Sequence, residues 1–564
     1  MPSLQLTQRM DMRKSLHWLP ALLLICPTAL LADTPSPKHG SACHETPPPS
    51  DSPVATALLE GYGTGGFPIK TNNQAAQKYF DNGMQLAHAF AHKASAAAFR
   101  RAEQLDPSCA MCFWGEAWTR GPSINFTINA SDQRKLRKLA DKAARLAADG
   151  PPLESKLIAA LQKRYHKGGG TGDGDLAYAR AMDDIATANP TNNEIAVMAA
   201  DAWMIPAANQ YNSREHLDRA MQLLEAGLAQ DPNDTGLIHF YIHATEMDGV
   251  GAEALPYAEK LAALAPAASH LVHMPSHVYF RVGRYADAEK ANLNAVAIDE
   301  ANAARLKPQG GVFGLAYHEH NVMYAAAASL LNNDHDAGLK LAHSELEQLP
   351  TVKPDETFKQ FGLGTAYVIV GRYGSAAEVA SLPDPGTALP YVMALWHYAR
   401  GELAARNNTR DELRKETASV SLSPKDTARF GGMSSQASAM VSIAQLILTG
   451  RLAMLENRWS AAEAAYRKAA ELQEANLGTI MDPPAWWYPL RRSVAAALLA
   501  QGNARAAKIE AQQALRTWPD DPLSLRVLAD CDQAMGETGE WQAILSSADR
   551  NWTGSVASVP LAQI

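Results

Sequence analysis

The sequence predicts an all-α solenoid of stacked helix–turn–helix units, and three observations predict it. The first is a period. His239 and His273 are 34 residues apart, as are His243 and His277, and Pro232 and Pro266. A period of that length is one helical hairpin, which buries its faces only by stacking on copies of itself. The second is a packing pattern within one unit. Tyr79, Gly83 and Leu86 fall on a first helix, Ser95, Phe99 and Ala102 on a second, and Pro107 closes it. Small residues let paired helices approach, large ones fill the gaps, and proline cannot continue a helix. The third is length. A chain of 564 residues exceeds one compact core, whereas an array grows by adding units.

In chain order, Arg13 and Lys14 precede an apolar run from Leu16 to Leu31 that ends at Ala32, the layout of a secretory signal over residues 1–32. Met10 or Met12 is an equally good start. The run is short for a membrane span and holds Pro20 and Pro27. Residues 33–66 read as a linker, rich in Pro and Ser to residue 53, with folded sequence from Phe67. An N-terminal array is expected over 67–350 and a C-terminal one over 351–564. Units close at Pro190, Pro232 and Pro266, and the next carries Ser276, Tyr279, Ala288 and Ala295. GRYGSAA at 371–377 echoes GRYADA at 283–288. Gly450, Ala462, Tyr466 and Ala469 fit one later unit, and Ala495, Ala507, Ala514 and Pro519 another. Residues 522–550 suit a capping pair, and 383–440 are helical but out of register.

The net charge of −8 and the lack of any Lys/Arg run exclude a nucleic-acid binder. No apolar run after residue 32 is long enough to span a bilayer, so the mature chain is expected to be soluble and exported, in the periplasm. Cys43, Cys109, Cys112 and Cys531 are too scattered for a disulfide framework.

The unit at Tyr79–Pro107 matches the tetratricopeptide pattern. The chain also resembles a group of exported bacterial tetratricopeptide proteins of uncharacterised activity. The resemblance rests on DPSCAMCFWGEA at 106–117, IHATE, HLVHMPSHVYFRVGRY, YHEHN at 317–321 and DPPAWWYPLRR at 482–492. Asp482 stands where that group is expected to carry Glu. The resemblance implies a right-handed superhelix and an exported location, and no chemistry. It also implies that the first helix of each unit lines a concave groove, through repeat positions 2, 5, 9 and 12. Counted from the closing prolines, His239 and His273 take position 5 and His243 and His277 position 9. Glu246 takes position 12 and His270 position 2. His318 and His320 open the next first helix. These side chains are expected to converge on one patch of groove.

Imidazole and carboxylate are ligands for zinc, copper and iron, so His239, His243, Glu246, His270, His273, His277, His318 and His320 are the candidate metal ligands. A metalloenzyme is compatible with that set. The competing reading is a metal-free scaffold whose groove holds a peptide or an envelope protein. A second candidate metal site combines His88 and His92 with the C-x2-C pair Cys109 and Cys112, for which a disulfide or plain buried thiols are the alternatives. Trp114, Trp118, Trp486, Trp487 and Arg491 have the composition of a ligand groove, and equally that of packed helix starts. There is no G-x-S-x-G, H-E-x-x-H, phosphate-binding or dinucleotide motif, so no reaction is named.

Overall fold

The computed structural model describes residues 55–564, apart from 167–172, 210–213, 479–481, 483, 538 and 540. The signal at 1–32 and the Pro/Ser-rich stretch after it lie outside the described residues. The fold is all-α: helical hairpins stack along the chain, and there is no strand among the described residues. The first unit shows why. Gln74–His88 turns into His92–Leu105, and Ser95 Oγ donates to the Gly83 carbonyl at 2.7 Å. A Cβ on Gly83 would stand 2.8 Å from the Phe99 ring, and one on Gly115 2.3 Å from it. Phe99 is therefore clasped between its own hairpin and the next helix, Ala110–Thr119. The same device recurs where Ser434–Leu455 meets Trp459–Asn476, with a Cβ on Gly450 placed 2.3 Å from Tyr466.

Three expectations need correction. Residues 57–66 are not linker: Leu59 N–H donates to Asn82 Oδ1, Ala267 N–H to the Gly61 carbonyl, and Thr64 N–H to Thr235 Oγ1. Gly63, at φ +89°, lies so close to Thr235 that a Cβ would fall 2.2 Å from its hydroxyl. The apolar core does not divide at 350. One cluster runs from Tyr62 to Tyr317 and a second from Phe280 to Ile564, so they interleave around residues 280–317. Finally, the segment Pro424–Leu455 is long and apolar enough to cross a membrane, although 61% of its most apolar stretch is buried, as in a core helix.

A carboxyl pair in the first units, Glu103 half-buried and Glu116 buried, yields a pH prediction. Burial first, and then the neighbouring Glu116, push Glu103 up to about 9, against the lowering effect of Lys142 and Arg100. Glu116 itself is paired with Arg100 and Arg120. From pH 4.5 to about 9 the native chain thus holds a proton that the unfolded chain releases. Stability falls as pH rises through that window. Glu103→Gln keeps a donor without the ionisation, and its urea midpoint should vary less between pH 5 and 9 than that of the wild type. Parallel profiles would contradict the assignment.

Candidate metal centre

The helix Thr235–Asp248 starts where Asp234 Oδ1 accepts from Leu237 N–H, and it carries His239 and His243 one turn apart. The next histidine-bearing segment is broken. Pro275 has no N–H to continue the ladder, so Ser269–His273 ends and Pro275–Arg281 restarts behind it. His270 and His273 lie before the break and His277 after it. His320 comes from His318–Asn332. The six imidazoles lie in one contiguous patch that contains two triads. Ligand atoms of His239, His243 and His270 lie within 4.8 Å of one another, and so do those of His273, His277 and His320. The triads adjoin, with ring centroids 5.8 Å apart for His243–His277 and 5.6 Å for His270–His273.

Hydrogen bonds fix which nitrogens carry lone pairs. Asn292 Nδ2–H donates to the Ala288 carbonyl, which orients its Oδ1 to accept from His273 Nδ1–H at 2.5 Å. The Glu246 carboxylate accepts from His277 Nδ1–H at 2.7 Å. As neutral rings both would therefore present bare Nε2 atoms, and the two Nε2 atoms stand 2.8 Å apart. Two lone pairs repel at that distance unless a cation, either a metal ion or a proton, sits between them. His239 is oriented likewise, its Nδ1–H donating to the His88 carbonyl at 2.6 Å while Nε2 stands 3.1 Å from His270 Nε2. His243 Nε2 is buried without a hydrogen-bond partner.

The second triad has a fourth donor from far along the chain. Asp482 Oδ1 lies 3.3 Å from His320 Nε2 and 3.7 Å from His277 Nε2, and His320 Nε2 is 3.1 Å from His273 Nε2. Four donors around zinc at 2.0–2.1 Å stand about 3.3 Å apart. Tyr324 steadies the group: its ring is 4.7–5.0 Å from His273, His277 and His320, and its hydroxyl lies 3.2 Å from Asp482 Oδ1.

Burial drives the electrostatics. It pushes His239 down to about 3, and with neighbouring imidazoles it holds His243, His270 and His273 well below the ordinary histidine range. At His277 burial is outweighed by Glu246 and then Asp482, which raise it. For Glu246 burial is outweighed by His277, so its carboxyl is held low and ionised. Two aromatics in left-handed backbone close the first triad. Phe90, at φ +54°, stacks over His243 and His270, and Tyr317, at φ +66°, lies 4.2 Å from His270. That conformation costs a bulky residue about 1–2 kcal/mol, so tertiary packing of the rings over the histidines holds it in place.

Other expected site residues lie elsewhere. The histidines do not face an open groove: all six are 4% exposed or less, because Phe90, Tyr317 and the Asp482 segment cover them. Glu246 accepts from a ring nitrogen on the far side from the cluster, and it also accepts from Arg281. His318 is turned to Asp299, 3.3 Å away, and to the Phe313 ring. Cys109 and Cys112 form a disulfide packed against Ala76 and Ala102, which removes both thiolates from a second metal site. His88 pairs with Glu194 at 2.6 Å and His92 stacks on Phe90, so the predicted quartet is not assembled. Trp114 and Trp118 stack on each other, Trp114 buried with its Nε1–H donating to the Leu157 carbonyl. Trp486 and Trp487 stack at 4.2 Å and line an apolar cleft with Met323 and Met440. Arg491 is occupied by Glu474 and Glu510. Sequence reasoning missed Asp482, Asn292 and Phe90. Of these only Asp482 carried a signal, its place before Pro484 in a conspicuous motif.

No family model matches this chain, and no curated protein does. Solved structures similar to it are helical-repeat proteins. A human IFIT1 dimer with m7Gppp-AAAA is 13% identical, with 87% of this chain and 92% of that one covered, at a TM-score of 0.32. The P58(IPK) TPR domain is 13% identical, covering 61% and 90%, at 0.19. Yeast Tom70 is 11% identical, covering 84% and 91%, at 0.26.

Removing the group that orients His273 should have two effects. Asn292→Ala leaves the buried His273 Nδ1–H without an acceptor, which should lower stability by about 1–3 kcal/mol in denaturant titration. It should also weaken metal binding by about 10–100-fold, as loss of a ligand's orienting partner does. Unchanged affinity would show that His273 is not held for a metal.

Proposed function

We propose that this chain is an exported helical-repeat protein that binds transition-metal ions at its two histidine triads. The observation that carries the reading is the approach of His273 and His277, whose Nε2 lone pairs face each other at 2.8 Å while both Nδ1 positions are committed elsewhere. Nitrogen donors with one carboxylate and no thiolate suit zinc, copper(II) or iron(II). The neighbouring His239, His243 and His270 offer an all-nitrogen site beside it. The Asp482 carboxylate supplies charge that a divalent ion would neutralise.

Export rests on Arg13, Lys14 and the apolar run to Leu31, on the resemblance to exported bacterial proteins, and on the Cys109–Cys112 disulfide, which suits an oxidising compartment. Capture of a peptide or envelope protein at the histidine positions would need open side chains, and these are buried.

The test uses protein purified without a histidine tag, stripped with chelator and equilibrated with zinc, copper or iron at pH 7.5. Elemental analysis should find two ions per chain. His273→Gln with His277→Gln should leave one, as should His239→Gln with His243→Gln, with helix content unchanged by circular dichroism. No retained metal in folded wild-type protein would refute the reading and leave the metal-free scaffold in its place.

A further inference from the structure

Away from the histidines, a cavity of about 260 Å³ opens where the helices Thr357–Tyr373, Pro390–Arg406 and Ser434–Leu455 meet the C-terminal segment. Arg372, Arg406 and Arg451 line it, with Glu402, His335 and Tyr373. The charges do not balance. Glu402 is committed to Arg451, Oε1 to Nε at 2.5 Å, and Arg451 also donates to the Ala562 carbonyl. Among the described residues no carboxylate lies within ion-pair distance of Arg372 or Arg406. Arg406 uses Nη2 on the Gly371 and Gly374 carbonyls, at 3.0 and 2.7 Å, and its Nε is buried without a partner. Arg372 Nε is likewise buried and unpartnered. His335 stacks on Tyr373, and burial first, then Arg372, hold it down, so it enters as a neutral ring.

Two guanidinium groups thus share one cavity with about two positive charges uncompensated. Burial lowers Arg406, against the raising effect of Glu402, and Arg372 lowers it further. Both side chains are half-buried with their Nε atoms out of reach of water, and a guanidinium fork is satisfied best by an oxyanion with two acceptor oxygens. Arg372, Arg406 and Arg451 all line this one partly open cavity.

We propose that this cavity binds a small doubly charged oxyanion of the phosphate class, held between Arg372 and Arg406. The site is independent of the histidine triads. The test is calorimetric titration of chelator-stripped full-length protein with inorganic phosphate, with chloride at matched ionic strength as the control. Saturable binding at one phosphate per chain is expected, with affinity reduced at least tenfold by Arg372→Gln. Arg372→Lys should recover part of it, since charge is kept and the fork is lost. Arg406→Gln should act similarly, although its ties to the Gly371 and Gly374 carbonyls also hold the loop. The Arg372 variants therefore carry the decision, with thermal melting confirming that they fold. Absence of saturable binding to the wild type, or equal affinity in a folded Arg372→Gln protein, would overturn the proposal.

Discussion

Two imidazole lone pairs held face to face in a dry interior are the constraint on which the rest of this structure depends. His273 and His277 are not free to relieve the conflict by turning, because Asn292 and Glu246 each hold the opposite ring nitrogen. They cannot hydrate it away either, since both rings are almost fully buried. Only a cation resolves it. A proton can do so, and Glu246 and Asp482 favour one on His277. A divalent ion would do more, since His320 and the Asp482 carboxylate stand within reach of it as well. The half-buried, ionised Glu246 then has a role: its charge is offset by His277 and Arg281, and it accepts from His277 Nδ1.

The repeat architecture is what brings these groups together. Helices from successive units lay histidines side by side, and the break at Pro275 lets one short segment serve both triads. The cluster lies where the two apolar cores interleave, so its cover comes from both halves of the chain. Phe90 belongs to the first hairpin turn, Tyr317 to the start of a middle helix, and Asp482 to the C-terminal half of the chain. The left-handed backbone at Phe90 and Tyr317 is a local cost accepted for rings that exclude water from the first triad.

Much of this was legible in the sequence. The spacing of His239 with His273, and of His243 with His277, places four histidines in adjacent units, and repeat counting adds His270 and the His318–His320 helix. Packing at Gly83 with Phe99 followed from the unit pattern. The division into two triads was not legible, because it depends on the angle at Pro275 and on which side of its helix His318 turns to meet Asp299. Burial was hidden for a similar reason. A repeat position says which way a side chain points from its own hairpin, and nothing about a loop residue such as Phe90 that folds over it. Asp482 is separated from His320 by more than 160 positions, so no local pattern could pair them. The Trp486–Trp487 pair drew attention to the right segment for the wrong property.

The most direct measurement is crystallographic: anomalous diffraction from zinc-equilibrated protein, collected on both sides of the zinc absorption edge. The account predicts a peak bonded at about 2.0–2.1 Å to the Nε2 atoms of His273, His277 and His320, with Asp482 as the fourth ligand. A second peak is expected among His239, His243 and His270. Folded protein with no anomalous density in either triad, or with zinc bound only at surface side chains, would contradict it.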